Sequence, residues 1–212
     1  LILLDETIRR KAVALSPEIV AEGGDPSRLP LEERRQLLRE IVARIAENSG
    51  PRSASDNDAI ARMAEFDLSN DVLHLIDEHR KNDAALFFLG RLVWQGKMTA
   101  CVGPMADIAA DCGRGRYARI AAIRAVSTAG TRENFDAVWD SIVADGSPVD
   151  RHLAAEILNN APSDRSSTDR VLGMIERLMP YERYQTTGLS SAFHRFLNRF
   201  DLEHVHDQQE LA

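Results

Sequence analysis

Apolar residues recur every three or four positions along nearly the whole chain, and alternating β-branched runs bounded by turns are missing, so the pattern predicts an all-α protein. From Leu31 to Glu47, Leu37, Leu38, Ile41, Val42 and Ile45 form one stripe, with Glu32, Glu33, Arg35, Arg39, Glu40 and Glu47 largely off it. This amphipathic helix is entered through Gly23-Gly24-Asp25-Pro26-Ser27-Arg28-Leu29-Pro30 and left through Asn48-Ser49-Gly50-Pro51, both dense in turn formers. Upstream, residues 5–15 predict one helix, and Ser16 with Pro17 an N-cap and first-turn proline opening a short second one. Downstream, the spacing predicts helices near 56–65, 69–80, 83–97, 104–112, 116–129, 133–145, 150–161, 168–179 and 187–200.

This string of short helices repeats itself. Ala84 to Gly96 overlays Ala118 to Gly130 at an offset of 34, matching the apolar positions and a closing glycine that reads as the C′ residue of both helices. A third copy, Asp150 to Pro162, follows at an offset of 32, with proline as the stop. Between them, Met105 and Ile108 align with Trp139 and Ile142 at 34, then with Leu172 and Ile175 at 33. Two helices per unit of this length predict an α-α superhelix, a HEAT-like right-handed solenoid of helical hairpins in which each unit buries its faces only by stacking on neighbours. Residues 1–212 are expected to form a single domain. In it, 1–81 are N-terminal helices continuous with the stack, 82–180 carry the clearest repeats, and 181–212 supply a capping helix and tail.

Polar positions repeat as well. Arg119, Arg124, Ser127 and Thr128 share half of the helical wheel, and the same offsets hold Arg151, Glu156, Asn159 and Asn160 in the next copy, which predicts a periodic polar ridge. In the first copy those offsets hold Ala85, Gly90, Val93 and Trp94, so that helix is expected to be sandwiched between layers.

With 44% hydrophobic and 28% charged residues, disordered, collagenous and disulfide-scaffold classes are excluded. A net charge of −7 disfavours bulk binding of a polyanion. No run reaches the roughly 18 apolar residues of a membrane span, and Leu1-Ile2-Leu3-Leu4 meets Asp5 too soon for a signal peptide. Two cysteines, Cys101 and Cys112, fit a reducing compartment, so a cytoplasmic location is expected, with both thiols as buried small hydrophobes. A chain that begins at Leu1 reads as part of a longer protein.

Candidate chemistry is sparse. Gly113-Arg114-Gly115-Arg116, with Tyr117, Arg119 and Arg124, is the most basic patch, and glycines beside arginines let backbone approach a phosphate. The competing reading, which is preferred, is a turn whose arginines are solvated or paired with acids. Glu203-His204-Val205-His206-Asp207 offers metal-ligand types, but His at i and i+2 converge mainly on strands. His74 and His79 lie about 140° apart on a helix and make a poor ligand pair. His152 and His194 have no nucleophile nearby in sequence, and Ser190 and Ser191 read as helix caps. Trp94 and Trp139, near Asp136 and Asp140, read as core aromatics.

The run Gly24 to Pro30, the following Arg34-Arg35-x-Leu37-Leu38, Phe66-Asp67-Leu68, and the Arg119-x-x-Ala122 and Arg151-x-x-Ala154 helices together resemble the HEAT-like helical region of large bacterial STAND NTPases of the NACHT type. In that family the region lies beyond a nucleotide-binding module, senses a ligand or holds the molecule inactive, and in several members serves defence against phage. The resemblance implies a non-catalytic scaffold or sensor whose partner is another protein or the parent's own nucleotide module. No Gly-x-x-x-x-Gly-Lys-Ser/Thr loop occurs here, because Gly113-Arg114-Gly115-Arg116 runs into Tyr117. The expected partner-binding residues are Arg119, Arg124, Thr128, Arg151, Glu156 and Asn160, with no catalytic residue, metal or cofactor and no membrane contact. The alternative is a HEAT-like nucleic-acid binder or base-processing enzyme using Arg114, Arg116 and Arg119.

Overall fold

A helical hairpin exposes apolar surface on both of its broad sides, and the chain resolves this by stacking one hairpin on the next. The computed structural model describes residues 5–15, 17–22, 25–48, 57–181 and 186–210, excluding the side chains of residues 18, 19, 22, 48, 57 and 200–210. Its helices are α1 (Glu6–Leu15), α2 (Pro17–Glu22), α3 (Leu31–Asn48), α4 (Asn57–Met63), α5 (Ser69–Glu78), α6 (Asp83–Gly96), α7 (Val102–Ala110), α8 (Arg116–Ala129), α9 (Arg132–Ala144), α10 (Arg151–Asn160), α11 (Arg165–Ile175) and α12 (Leu189–Glu210). The all-α expectation holds among the described residues, which contain one isolated β-bridge, Val149 to Leu178, and no extended strand. None of these helices is long and apolar enough to cross a membrane.

The helices form two layers. In the first, α8 packs on α6, α10 on α8 and α12 on α10; in the second, α9 packs on α7 and α11 on α9. Contacts of α8 with α7 and α9 join the layers. The N-terminal helices continue the same body: α3, α4 and α5 all pack against α6, whose Ala85, Leu86, Phe88, Leu89, Leu92 and Val93 are buried. That is the sandwiched helix its apolar composition predicts. One connected core runs from Val13 to Phe196.

Local chemistry fixes the ends. Asn82 caps α6, Thr131 and Asn134 form a capping box on α9, and Asp150 and Asp164 cap α10 and α11. Because Asp164 is the cap, α11 starts three residues before the predicted 168; after Ile175 the chain turns so that the Val149 N–H donates to the Arg177 carbonyl and the Met179 N–H to the Val149 carbonyl. The N-cap assigned to Ser16 and the turn at 49–51 lie outside the described residues. Ser190 and Ser191 sit inside the first turn of α12 rather than capping it, and both are exposed.

The closing glycines have a different role from the one predicted. Gly96 is the last residue of α6 and Lys97 takes the left-handed cap at φ 49°, while Gly130 is extended. Glycine is required by space: a Cβ on Gly96 would stand 2.6 Å from the Ala64 carbonyl oxygen, and one on Gly130 2.6 Å from that of Val126. The alignment of the second layer also moves by one position. Burial matches Phe135, Trp139 and Ile142 of α9 with Ser167, Val171 and Met174 of α11, all nearly inaccessible, whereas Leu172 and Ile175 are exposed. The third unit thus keeps the offset of 32 throughout, as Arg124 and Glu156 also do.

Two substitutions separate these roles in urea unfolding. Gly96→Ala forces a side chain against a backbone oxygen and is expected to lower stability by about 1–3 kcal/mol. Lys97→Gly relieves the left-handed residue and is expected to raise it by about 1 kcal/mol.

Candidate functional site

Stacked units bring equivalent positions of neighbouring helices within about 10 Å, a distance that one arginine side chain spans. The polar residues of this chain use that distance repeatedly. Arg34 makes paired bonds to Asp67, and also holds the Leu29 carbonyl, while Arg35 meets Asp71. The Arg34-Arg35 and Phe66-Asp67-Leu68 segments, separate in sequence, therefore form one joint between α3 and the turn before α5.

The helix starts are linked in the same way. Arg116 at the start of α8 reaches Asp150, the cap of α10, at 2.7 Å, and Arg132 at the start of α9 reaches Asp164, the cap of α11, at 2.7 Å. Arg170 of α11 returns to Asp140 of α9 at 2.6 Å and to Asp136 at 3.2 Å. Burial alone would raise the Asp164 carboxyl, but Arg132, Ser166 and the Ser167 N–H outweigh it and hold Asp164 far below the usual carboxylate range.

The predicted ridge divides. Arg124 makes two bonds of 2.7 Å to Glu156, the Asn160 amide donates to Glu156 at 3.0 Å, and Ser127 donates to Asn160 at 3.0 Å. The Glu156 bond raises the Arg124 pKa above its ordinary value. Thr128 is exposed on the same helical stripe. Arg119 leaves this group: it donates to the Ala109 carbonyl at the end of α7, and burial pulls its pKa down. Arg151 leaves it as well, bonding the Met179 carbonyl and lying over the Tyr181 ring.

Aromatic residues that periodicity assigned to the core, or passed over, extend the ridge. Trp139 is fully buried, as predicted, but Trp94 is half-buried under the Arg124 guanidinium at 5.2 Å. Tyr117, 67% exposed and two turns before Arg124 on the same stripe, packs on Phe87, which in turn lies under Arg91. At the far side Arg195 of α12 holds the Asn159 amide oxygen at 2.8 Å. The result is a strip of aromatic and polar side chains crossing α6, α8, α10 and α12. The i, i+7 spacing of Tyr117 and Arg124, and of Phe87 and Trp94, is the sequence signal for it.

The basic turn is neutralised. Arg114 pairs with Asp111 at 3.0 Å and Asp83 at 3.6 Å. The N–H groups of Gly113 and Gly115, which could face a phosphate, donate to Asp111 and Asp83. The Arg114 bond, with the Gly113 N–H, holds the Asp111 carboxyl below its ordinary range.

Cys101 is buried, donates to the Ser69 carbonyl, and is pushed up to about 11 by burial; Cys112, against expectation, is exposed. Cys112 lies in the turn after α7, beyond the last residue of that helix, Ala110. His74 and His194 are exposed, and His152 stands 3.5 Å from the Asp150 carboxylate. The side chains of Glu203 to Asp207 lie outside the described residues, among which no group of three or more His, Cys, Asp or Glu side chains is placed to hold a metal.

Urea unfolding tests the central joint. Arg124→Leu leaves the Glu156 carboxylate, 7% exposed, with the Asn160 amide as its remaining side-chain partner, at a cost of about 1–3 kcal/mol; adding Glu156→Leu is expected to restore part of it. The second test is acid unfolding. A depressed carboxyl contributes stability that is complete above its unfolded pKa of about 3.9 and is lost as pH falls toward the folded value. Asp164→Asn is therefore expected to make the decline below about pH 4 shallower while lowering stability at pH 7. No protein-family model, curated protein or solved structure matches this chain.

Proposed function

We propose that this chain is a non-catalytic helical-repeat scaffold that binds a protein partner through its first-layer surface. In this reading the stack has the right-handed superhelical form of HEAT-like repeats. It belongs to a multidomain cytoplasmic protein, in which the partner is either another protein or the parent's own nucleotide module, as the likeness to bacterial NACHT-type STAND NTPases and their antiphage members implies.

The observation that carries the proposal is the strip joining Phe87, Tyr117, Trp94, Arg124, Glu156 and Asn160 across three units. Tyrosine, tryptophan and arginine are the residues that dominate binding energy at protein interfaces. Here their side chains are already oriented by contacts within the stack, so a partner pays less ordering entropy on docking. The basic turn argues the other way for nucleic acid: Arg114 and Arg116 have carboxylate partners and Arg119 is committed to a carbonyl.

A photo-crosslinking residue placed at Tyr117 or Thr128 in the source cell is expected to give a discrete protein adduct, and one at the exposed Asp77 of α5 none. Adducts from Asp77 alone would overturn the proposal. Fluorescence anisotropy with duplex and single-stranded DNA at about 20 mM salt is expected to show no saturable binding; binding that weakens steeply with salt would favour the nucleic-acid reading instead.

A further inference from the structure

The turns that follow α5 and α7 are built alike. At the first, Arg80 pairs with Asp77 at 2.9 Å; at the second, displaced by the same offset of 34, Arg114 pairs with Asp111 at 3.0 Å. Between these turns lies a cavity of about 110 Å³. Its apolar wall is Ile76 of α5 with Pro104 and Ile108 of α7, and its polar wall is Arg80, Asp107, Asp111 and Arg114. Both guanidinium groups are matched by carboxylates, since Arg114 also reaches Asp83 at 3.6 Å. Asp107 is exposed, and its carboxylate has no hydrogen bond or ion pair among the described residues. The position 34 residues on, in α9, is Ser141, whose hydroxyl donates to the Ala137 carbonyl of its own helix. The field at the cavity is negative for two reasons. Asp77, Asp83, Asp107 and Asp111 outnumber Arg80 and Arg114, and α5 and α7 both end here with no basic residue in the last turn, which brings together the negative ends of two helix dipoles.

We propose that this cavity binds a primary alkylammonium group, with its hydrocarbon on Ile76, Pro104 and Ile108 and its charge on Asp107. A volume of this size holds roughly seven to eleven water-sized groups, enough for an amine with a chain of about five carbons. The ammonium supplies the donors that the Asp107 carboxylate lacks within the chain. An anion is the wrong occupant: it would meet an unpaired carboxylate and two helix C-termini, and each guanidinium would have to leave an aspartate to reach it. A free amine and a lysine side chain offer the same group. Because the walls come from α5 on one side and α7 on the other, a bound amine ties the N-terminal helices to the repeats. None of the lining residues belongs to the first-layer strip, so the two sites are independent.

The probe is n-pentylammonium chloride, titrated into the full chain at about 0.15 M salt and followed by amide chemical shifts. The signals of Ile76, Asp107 and Ile108 are expected to move saturably at millimolar concentration. Asp107→Asn is expected to weaken binding at least fivefold, and Asp169→Asn, which removes the same charge from α11, less than twofold. Asp107 has no partner to lose and stands at the negative end of its helix, so the Asp107→Asn chain should melt no lower than the parent. Pentanoate, with a chain of the same length and the opposite charge, is expected not to saturate. Nα-acetyl-lysine methylamide carries the ammonium on a peptide unit; if it binds more tightly than pentylammonium the site takes a partner's lysine, and in the reverse order it takes a free amine. Failure of both cations to saturate, equal binding by the Asp107→Asn chain, or pentanoate binding as tightly as the amine would overturn the proposal. Tyr117→Ala should leave amine binding unchanged, so loss of this cavity and loss of the first-layer surface are read separately.

Discussion

Each hairpin depends on the next for cover. An isolated pair of short helices leaves apolar surface on both sides, and short helices hold together mainly through tertiary packing of that surface. The contact between α6 and α8 shows how the sequence provides for this: a Cβ on Gly90 of α6 would stand only 3.0 Å from that of Ala121 on α8. Around this contact the facing surface of α8 is built from Ala118, Ala121, Ala122 and Ala125, all buried, so the helix axes come near. On α9 the buried face carries large side chains instead, Phe135 and Trp139, packed edge to face.

Once the axes are set, charged residues fix the register. Arg116 with Asp150, Arg124 with Glu156 and Arg132 with Asp164 all join a helix to its successor in the same layer, and two of the three acids are also helix caps. A half-buried ion pair returns little net energy after desolvation. Its larger effect is exclusion. A slip of one residue between α8 and α10 would strand the Glu156 carboxylate among apolar side chains, and the packing tolerates no such group. Arg199 acts similarly at the end of the first layer, donating to the Leu158 and Ala161 carbonyls that terminate α10.

Much of this was legible in the sequence. Helical periodicity and turn formers located α3, α6 and α8 to within a residue at either end, because both ends of each carry strong signals. The offset of 32 placed Arg124 and Glu156 at equivalent positions, and opposite charge at equivalent positions is the mark of a link between units. What periodicity could not supply was direction. Arg119 and Arg124 share half a wheel, yet one turns to α7 and the other to α10, since each lies at a different boundary of α8. An aromatic at helical spacing reads as core, and Trp94 does pack against the core on one side, but its ring also lies under the Arg124 cation, which periodicity does not reveal. The second-layer alignment slipped because Leu172 and Ile175 are apolar, and the pattern alone does not distinguish apolar residues covered by the same unit from those left for the next.

The proposed binding strip across the first layer follows from how neighbouring units meet. Nearest-neighbour stacking has a direct signature in amide hydrogen exchange on an Ala121→Leu variant, which overpacks the α6–α8 contact. Protection is expected to fall most in α6, α8 and α10 and progressively less toward α1 and α2. Loss confined to α8, or an equal loss in every helix as in one closed core, would contradict the account.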